Sequence, residues 1–188
     1  MDTPTPVNIL GIAGSLRQGS YNRALLRAAR IFCPREAAIE IIELDGIPPF
    51  NQDHELDPPE SVVHLKALVR SSDAVLFATP EYNYSFSGVL KNAIDWGTRP
   101  YGDNAWAGKP AAIMGASTGQ FGTVRAQLHL RQVLQGINML PLTRPEVMVP
   151  EAASKFDPEG NLVNEQTMAL VTRLIQGLVQ LTLQMRKA

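Results

Sequence analysis

Val7-Asn8-Ile9-Leu10-Gly11-Ile12-Ala13-Gly14-Ser15-Leu16-Arg17-Gln18-Gly19-Ser20-Tyr21-Asn22 decides how this chain is read. The stretch from Val7 to Ala13 is a short, mostly apolar run that stops at a Gly/Ser cluster. Such a run reads as a strand buried on both faces, the mark of a parallel sheet. From Ser20 the pattern turns helical, with Ser20 as N-cap and Pro34 past the end of a helix over residues 20–33. The loop between them enters a helix start, where free backbone N–H groups and the positive dipole end make a ready anion site. Ser15, Ser20 and Asn22 add neutral donors and Arg17 a charged one. Gly14 and Gly19 permit tight backbone turns. A phosphate dianion matches this loop, although a capped turn without a ligand would use the same residues. The loop does not end in Gly-Lys-Ser/Thr, as a Walker A loop must. Its Gly11-Ile12-Ala13-Gly14 also departs from G-x-G-x-x-G. Hydroxyls dominate over glycine close approach, which favours one terminal phosphate over a pyrophosphate.

Beyond this unit the chain alternates. Residues 39–44, 73–78 and 110–116 read as further strands, and a fifth lies within 138–149, interrupted near Arg144-Pro145. The second is less buried than the first and suits an edge. Helices are expected over 59–70, 87–96, 123–134 and 165–186. Val62, Val63, Leu65, Leu68 and Val69 give the first of these its apolar stripe. Leu170, Leu174, Leu178, Leu181 and Met185 line the last, and Arg186 and Lys187 suit its negative end. Residues 45–59 and 99–108 read as loops, and 157–160 as a turn. Strand-helix alternation implies a parallel sheet with helices on both faces, because right-handed crossovers must cover it. With no repeat, linker or low-complexity segment, residues 1–188 read as one α/β domain.

Composition narrows the partners. The chain has 188 residues, 45% of them hydrophobic, and a formal net charge of −1. It lacks the basic excess of a nucleic-acid binder. Cys33 is the single cysteine, so no internal disulfide or multi-cysteine metal site forms. A semi-buried thiol near a helix end is the expected role. Met1 to Pro6 is polar and lacks the layout of a signal peptide. No apolar run has the length of a bilayer span. A cytoplasmic location, no membrane partner and no metal are the expectations.

Ligands of such sheets bind outside the carboxyl ends of the strands, where strand order reverses. Two more loops at that edge carry unusual residues. Thr79-Pro80-Glu81-Tyr82-Asn83-Tyr84-Ser85-Phe86-Ser87-Gly88 sets aromatic rings among polar groups. This suits a flat heteroaromatic ligand with a polar edge. Packing of Tyr84 and Phe86 into the core or a subunit contact is the competing reading. Glu81 reads as a loop residue whose backbone matters rather than as a catalytic acid. Ser117-Thr118-Gly119-Gln120-Phe121-Gly122 repeats the hydroxyl-glycine composition, and its glycines allow close approach to a ring edge.

Gly14-Ser15-Leu16-Arg17-x-x-Ser20-x-Asn22, with Pro80-Glu81-Tyr82-Asn83 and Gly88-x-Leu90-Lys91-Asn92-Ala93-Ile94-Asp95-Trp96, resembles the NADPH-dependent FMN reductases. These include flavodoxin-like bacterial quinone and chromate reductases. The resemblance runs from about Asn8 past Leu140. It implies a flavodoxin-like fold with a five-stranded parallel sheet of order 2-1-3-4-5. It implies that Ser15, Arg17, Ser20 and Asn22 hold the FMN phosphate. Pro80, Glu81, Tyr82 and Asn83 would border the isoalloxazine ring, largely through backbone groups. Ser117 and Gly119, with Gly122 nearby, would line its other side. His54, His64 and His129 match no family site and read as surface or packing residues. The implied activity is NAD(P)H-dependent reduction of quinones or other small acceptors, chromate among them. Hydride would pass through flavin N5 in ping-pong order, with NADPH or NADH as donor and no catalytic side chain. The helix from Lys91 to Trp96 would contribute to a homodimer, and Arg125 and Glu146 to a contact joining dimers into a homotetramer.

Two other functions fit the same motifs. A flavodoxin-like electron carrier would bind FMN likewise, but such carriers are usually strongly acidic, unlike this near-neutral chain. A reductase that releases FMN as a reduced substrate would use the same contacts.

Overall fold

Strand β1 (Val7–Ala13) leads into helix α1 (Tyr21–Ile31), and the alternation continues through β2 (Ala37–Ile42), α2 (Glu60–Ser71), β3 (Ala74–Ala78) and α3 (Gly88–Gly97). It is completed by β4 (Pro110–Ala116), α4 (Val124–Gly136), β5 (Leu140–Pro141), β6 (Val147–Val149) and α5 (Glu165–Met185). The computed structural model describes residues 5–187. Most of the polar N-terminal segment, residues 1–4, lies outside them.

All pairings are parallel, in the order β2-β1-β3-β4-β5, with β6 also on β4. The expected fifth strand is thus two short pieces. β5 pairs with the start of β4 at Pro110 and Ala111, and β6 with its end at Met114 to Ala116. Pro145, which has no N–H to give a ladder, lies in the break. β2 is the half-exposed edge strand, whereas β3 and β4 are buried throughout.

Alternate residues of β1 feed two cores. Val7 and Ile9 join α1 and α5 on one face, with Leu25, Leu26, Leu174 and Leu178. Leu10 and Ile12 join α2, α3 and α4 on the other, with Leu65, Leu90, Ile94 and Leu130.

Two stripes differ from the sequence reading. In α2, Val63 faces solvent and Lys66 faces inward, so the buried set is Val62, Leu65, Lys66 and Val69. That is the i, i+3, i+4, i+7 spacing of a helix. Lys66 is tolerated because its ammonium donates to the Arg99 carbonyl and to Asp103 (2.7 Å). In α5 the buried line runs through Val171, Leu174, Ile175, Leu178 and Thr182, leaving Leu170, Leu181 and Met185 at its flanks. Arg186 does more than meet the helix end: it pairs with Asp73 (2.6 Å) and donates to the carbonyls of Thr5 and Pro6.

Helix α1 stops at Ile31, two residues before Cys33. The residue preceding a proline avoids helical geometry, and here that residue is Cys33, before Pro34. Cys33 is partly buried against the α1/α5 core, and burial pushes its thiol pKa up, away from reactivity.

Candidate functional site

β1, β3 and β4 end side by side. Ala13 pairs with Ala78, and Ala78 with Met114, so the three following loops leave the sheet at one edge. Backbone hydrogen bonds lock them together: Gly14 donates to Ala78 (2.8 Å) and Thr79 to Met114 (3.0 Å). The first two loops are very close. A Cβ on Gly14 would lie 2.8 Å from Ser87 Oγ and 3.2 Å from Pro80 Cδ. Gly14 is therefore required for close approach between the loops, in addition to the tight turn its sequence context suggested. Gly19 has an ordinary φ, and a Cβ there would make only an ordinary contact with the Arg17 guanidinium at 3.6 Å.

At the start of α1, Ser20 takes extended geometry and its Oγ accepts from the N–H groups of Asn22 (3.2 Å) and Arg23 (3.4 Å). Its own O–H remains free to donate. Among the described residues, the N–H groups of Ser15, Leu16, Arg17 and Tyr21 donate to no protein group. Arg17 is exposed, makes no ion pair among these residues, and lies 5.8 Å from the Tyr21 ring. Unpaired N–H groups, two buried serines and a free cation at a helix start form a donor set that fits a phosphate dianion.

Asn22 is placed differently from its neighbours. Its Nδ2 donates to the Ala116 carbonyl (3.0 Å) and its Oδ1 accepts from the Ala116 N–H (2.9 Å). One Nδ2 hydrogen and Oδ1 brace α1 against the end of β4, and the second Nδ2 hydrogen has no protein partner among the described residues. Arg23, which the sequence reading passed over, braces the same loop. It pairs with Glu43 (2.7 Å) and donates to the Leu16 carbonyl (3.3 Å).

The second loop is a tight hairpin. Tyr82 and Ser85 exchange backbone hydrogen bonds of 2.9 and 3.0 Å. The two residues between them, Asn83 and Tyr84, have φ of 47° and 70°. Two consecutive positive φ values belong to the mirror-image turn that glycine or asparagine usually supplies. Tyr84 is costly there, and it stays exposed with Tyr82 instead of entering the core. Glu81 holds this hairpin with its side chain. Its carboxylate accepts from the N–H groups of Arg125 (3.1 Å) and Ala126 (3.3 Å) and pairs with the Arg125 guanidinium.

In the third loop, Ser117 Oγ accepts from the Gly119 N–H (3.1 Å). Gly122 has φ of 54°, and a Cβ there would meet backbone atoms of Met148, Val149 and Pro150 at 2.9 Å. It fixes the loop against the end of β6.

The three loops enclose a cleft of about 200 Å³, walled by Ser15, Arg17, Ser20, Pro80, Tyr82 and Ser117. Asn22 and Glu81 line it too, with Tyr21, Ala116 and Thr118, which the sequence reading did not single out. Asn83, Gly119 and Gly122 stand outside this wall. Phe121 is exposed, His54 and His64 are at the surface, and His129 lies against Ser85 Oγ (3.2 Å). Among the described residues no group of His, Cys, Asp and Glu is clustered to hold a metal, and no helix is long and apolar enough to cross a membrane. Lys91 pairs with Asp95 on the surface of α3. Asn92 and Trp96 of the same helix hold the loop after β2 through the Pro48 carbonyl, at 2.8 Å each. Arg125 is paired with Glu81, and Glu146 with Arg144 (2.6 Å), within the chain.

Comparison with known proteins accords with this geometry. The family model described as NADPH-dependent FMN reductase matches residues 7–154. An NAD(P)H-dependent FMN reductase of Pseudomonas aeruginosa is 49% identical over 92% of this chain and 93% of its own. A 2-hydroxy-1,4-benzoquinone reductase of a Burkholderia species is 39% identical over 86% and 88%. The structure of FerB, a flavoenzyme NAD(P)H:(acceptor) oxidoreductase from Paracoccus denitrificans, superposes with a TM-score of 0.88 at 35% identity, over 95% and 98% of the two chains.

Proposed function

Because the chain belongs to the NADPH-dependent FMN reductase family, we propose that the three-loop cleft is its FMN site and that small quinones are reduced there. The protein is an oxidoreductase of flavodoxin-like fold that uses FMN and NAD(P)H. The observation that carries the site is the set of unpaired N–H groups at Ser15, Leu16, Arg17 and Tyr21, beside an Arg17 that makes no ion pair among the described residues.

In this reading Ser15, Arg17, Ser20 and the backbone around Asn22 bind the FMN phosphate. The backbone of Pro80, Glu81, Tyr82 and Asn83 borders the ring, and the loop of Ser117, Gly119 and Gly122 closes its other side. FMN held by these residues would supply the redox chemistry, hydride transfer from NAD(P)H to the acceptor through flavin N5 in ping-pong order. The side chains position and neutralise. Arg17 and the start of α1 offset the phosphate charge, and the buried strand ends exclude water beneath the ring.

The quinone class is favoured by the names of the Burkholderia and Pseudomonas putida relatives, a hydroxybenzoquinone reductase and a quinone reductase. Chromate belongs on the same acceptor panel, and a homodimer or homotetramer is the assembly proposed. The purified protein with FMN should oxidise NADPH when a quinone is added, with parallel-line initial-rate plots. Absence of turnover without an added partner reductase would move the reading to an electron carrier. Loss of all flavin on dialysis would move it to FMN as a released substrate.

A further inference from the structure

Glu81 and Arg125 pair where two of the three loops meet. Glu81 is nearly buried: its side chain is 7% exposed. One carboxylate oxygen accepts the N–H groups of Arg125 and Ala126, the first turn of α4. That helix has no cap of its own. Thr123, at the capping position, is left-handed with φ of 72°, and its side chain makes no capping bond. The Thr123 hydroxyl instead accepts from Gln127 Nε2 (3.1 Å). So the negative charge that satisfies the start of α4 comes from 44 residues upstream.

The Arg125 guanidinium completes the joint. It pairs with the other oxygen of Glu81 and lies between two rings, 4.0 Å from the Tyr84 centroid and 4.6 Å from that of Phe121. Tyr84 belongs to the hairpin after β3 and Phe121 to the loop after β4. One side chain thus grips both loops through a charge pair and two cation–π contacts. One turn further along α4, His129 touches Ser85 of the same hairpin.

We propose that Glu81 and Arg125 are positioning residues: their clasp sets the hairpin backbone from Pro80 to Asn83 and the loop of Ser117 to Gly122 in the ring-binding arrangement before the flavin arrives. This rests on the reading that these loops border the flavin ring. The clasp acts on the ring side, because the residues assigned to the phosphate belong to the loop entering α1, which Arg23 and Asn22 brace separately. A preorganised edge spares the cost of ordering the loops on binding.

The test measures FMN and riboflavin dissociation constants by flavin fluorescence in wild type, Arg125→Ala, Arg125→Lys and Glu81→Gln, with amide hydrogen exchange on the apo-proteins. Arg125→Ala should weaken both ligands by the same factor, about tenfold, with faster exchange at the Tyr82 and Ser85 amides and the sheet amides unchanged. Arg125→Lys, which keeps the charge but not the planar fork, should recover part of the affinity. Glu81→Gln should fall between wild type and Arg125→Ala. Unchanged riboflavin affinity in Arg125→Ala, or a loss confined to FMN, overturns the clasp. So does faster hairpin exchange with unaltered affinity. If wild type binds neither flavin, the site reading itself is wrong and the clasp falls with it. If Arg125→Ala is unfolded, the two milder variants decide by the same criteria.

Discussion

The phosphate side and the ring side of the cleft are built by opposite means. On the side proposed for the phosphate, the candidate donors come from one continuous segment, Gly14 to Asn22. A helix start leaves N–H groups free by geometry alone, and Ser20 caps while keeping a proton to give. On the ring side the shape comes from contacts between distant residues. The hairpin at Asn83 and Tyr84 has an unfavourable backbone and is tied to α4 through Glu81 and Arg125, and Gly122 fits the third loop against β6. A local site is robust to changes elsewhere, whereas an assembled one depends on its supports.

The strongest way to break the ring side is Gly122→Ala. The new methyl would face three backbone atoms at 2.9 Å on a residue with positive φ. Strain and overpacking together should cost about 3 kcal/mol of folding stability. Urea denaturation measures it. A loss below roughly 1 kcal/mol would mean the loop shifts freely and the ring side is looser than described.

Asn22→Ala comes next, and it tests the seam between the two sides. It leaves the buried Ala116 N–H and carbonyl without their partner. An expected cost of about 2–3 kcal/mol follows from stranding such groups. Because the amide braces α1 against the end of β4, its loss should disturb both sides of the cleft, and FMN and riboflavin affinities should fall together. A loss specific to FMN would return Asn22 to direct phosphate contact.

Arg17→Ala isolates the phosphate side. FMN affinity should drop by about 1.5–3 kcal/mol, the scale of a hydrogen bond to a charged group, while riboflavin binding and stability hold. Titration with both flavins reads the difference. Equal losses would assign Arg17 a structural role.

The same contrast explains what the sequence made legible. The strand-helix alternation and the Ser20 cap follow from runs and spacings within a few residues, and the structure has both, together with the strand order that the family resemblance implied. The break between β5 and β6 was visible because Pro145 announces it. Lys66 was missed as a buried residue because its partner Asp103 lies 37 positions away. The grip of Asn22 on Ala116 spans 94 positions. No local pattern distinguishes an amide that binds a ligand from one that binds a strand end. Tyr84 shows the same limit: its positive φ runs against its own preference, and the Arg125 guanidinium 4.0 Å from its ring comes from 41 positions away.

The smallest expected effect lies away from both sides, in the loop leading into β4. Asp103 accepts from Lys66 and Arg70, and these hydrogen bonds hold its pKa below the usual carboxylate value. A carboxyl with a lowered folded-state pKa stabilises the protein above the unfolded value and loses that contribution as pH falls through the folded one. Asp103 is largely exposed, so solvent screening limits the effect of Asp103→Asn at neutral pH to less than about 1 kcal/mol. The gap between wild type and variant should close on acidification through the carboxylate range. Neither FMN nor riboflavin affinity should change, because Asp103 contacts none of the three loops. A pH-independent gap would point instead to packing around Lys66, whose buried ammonium would then be the group that matters.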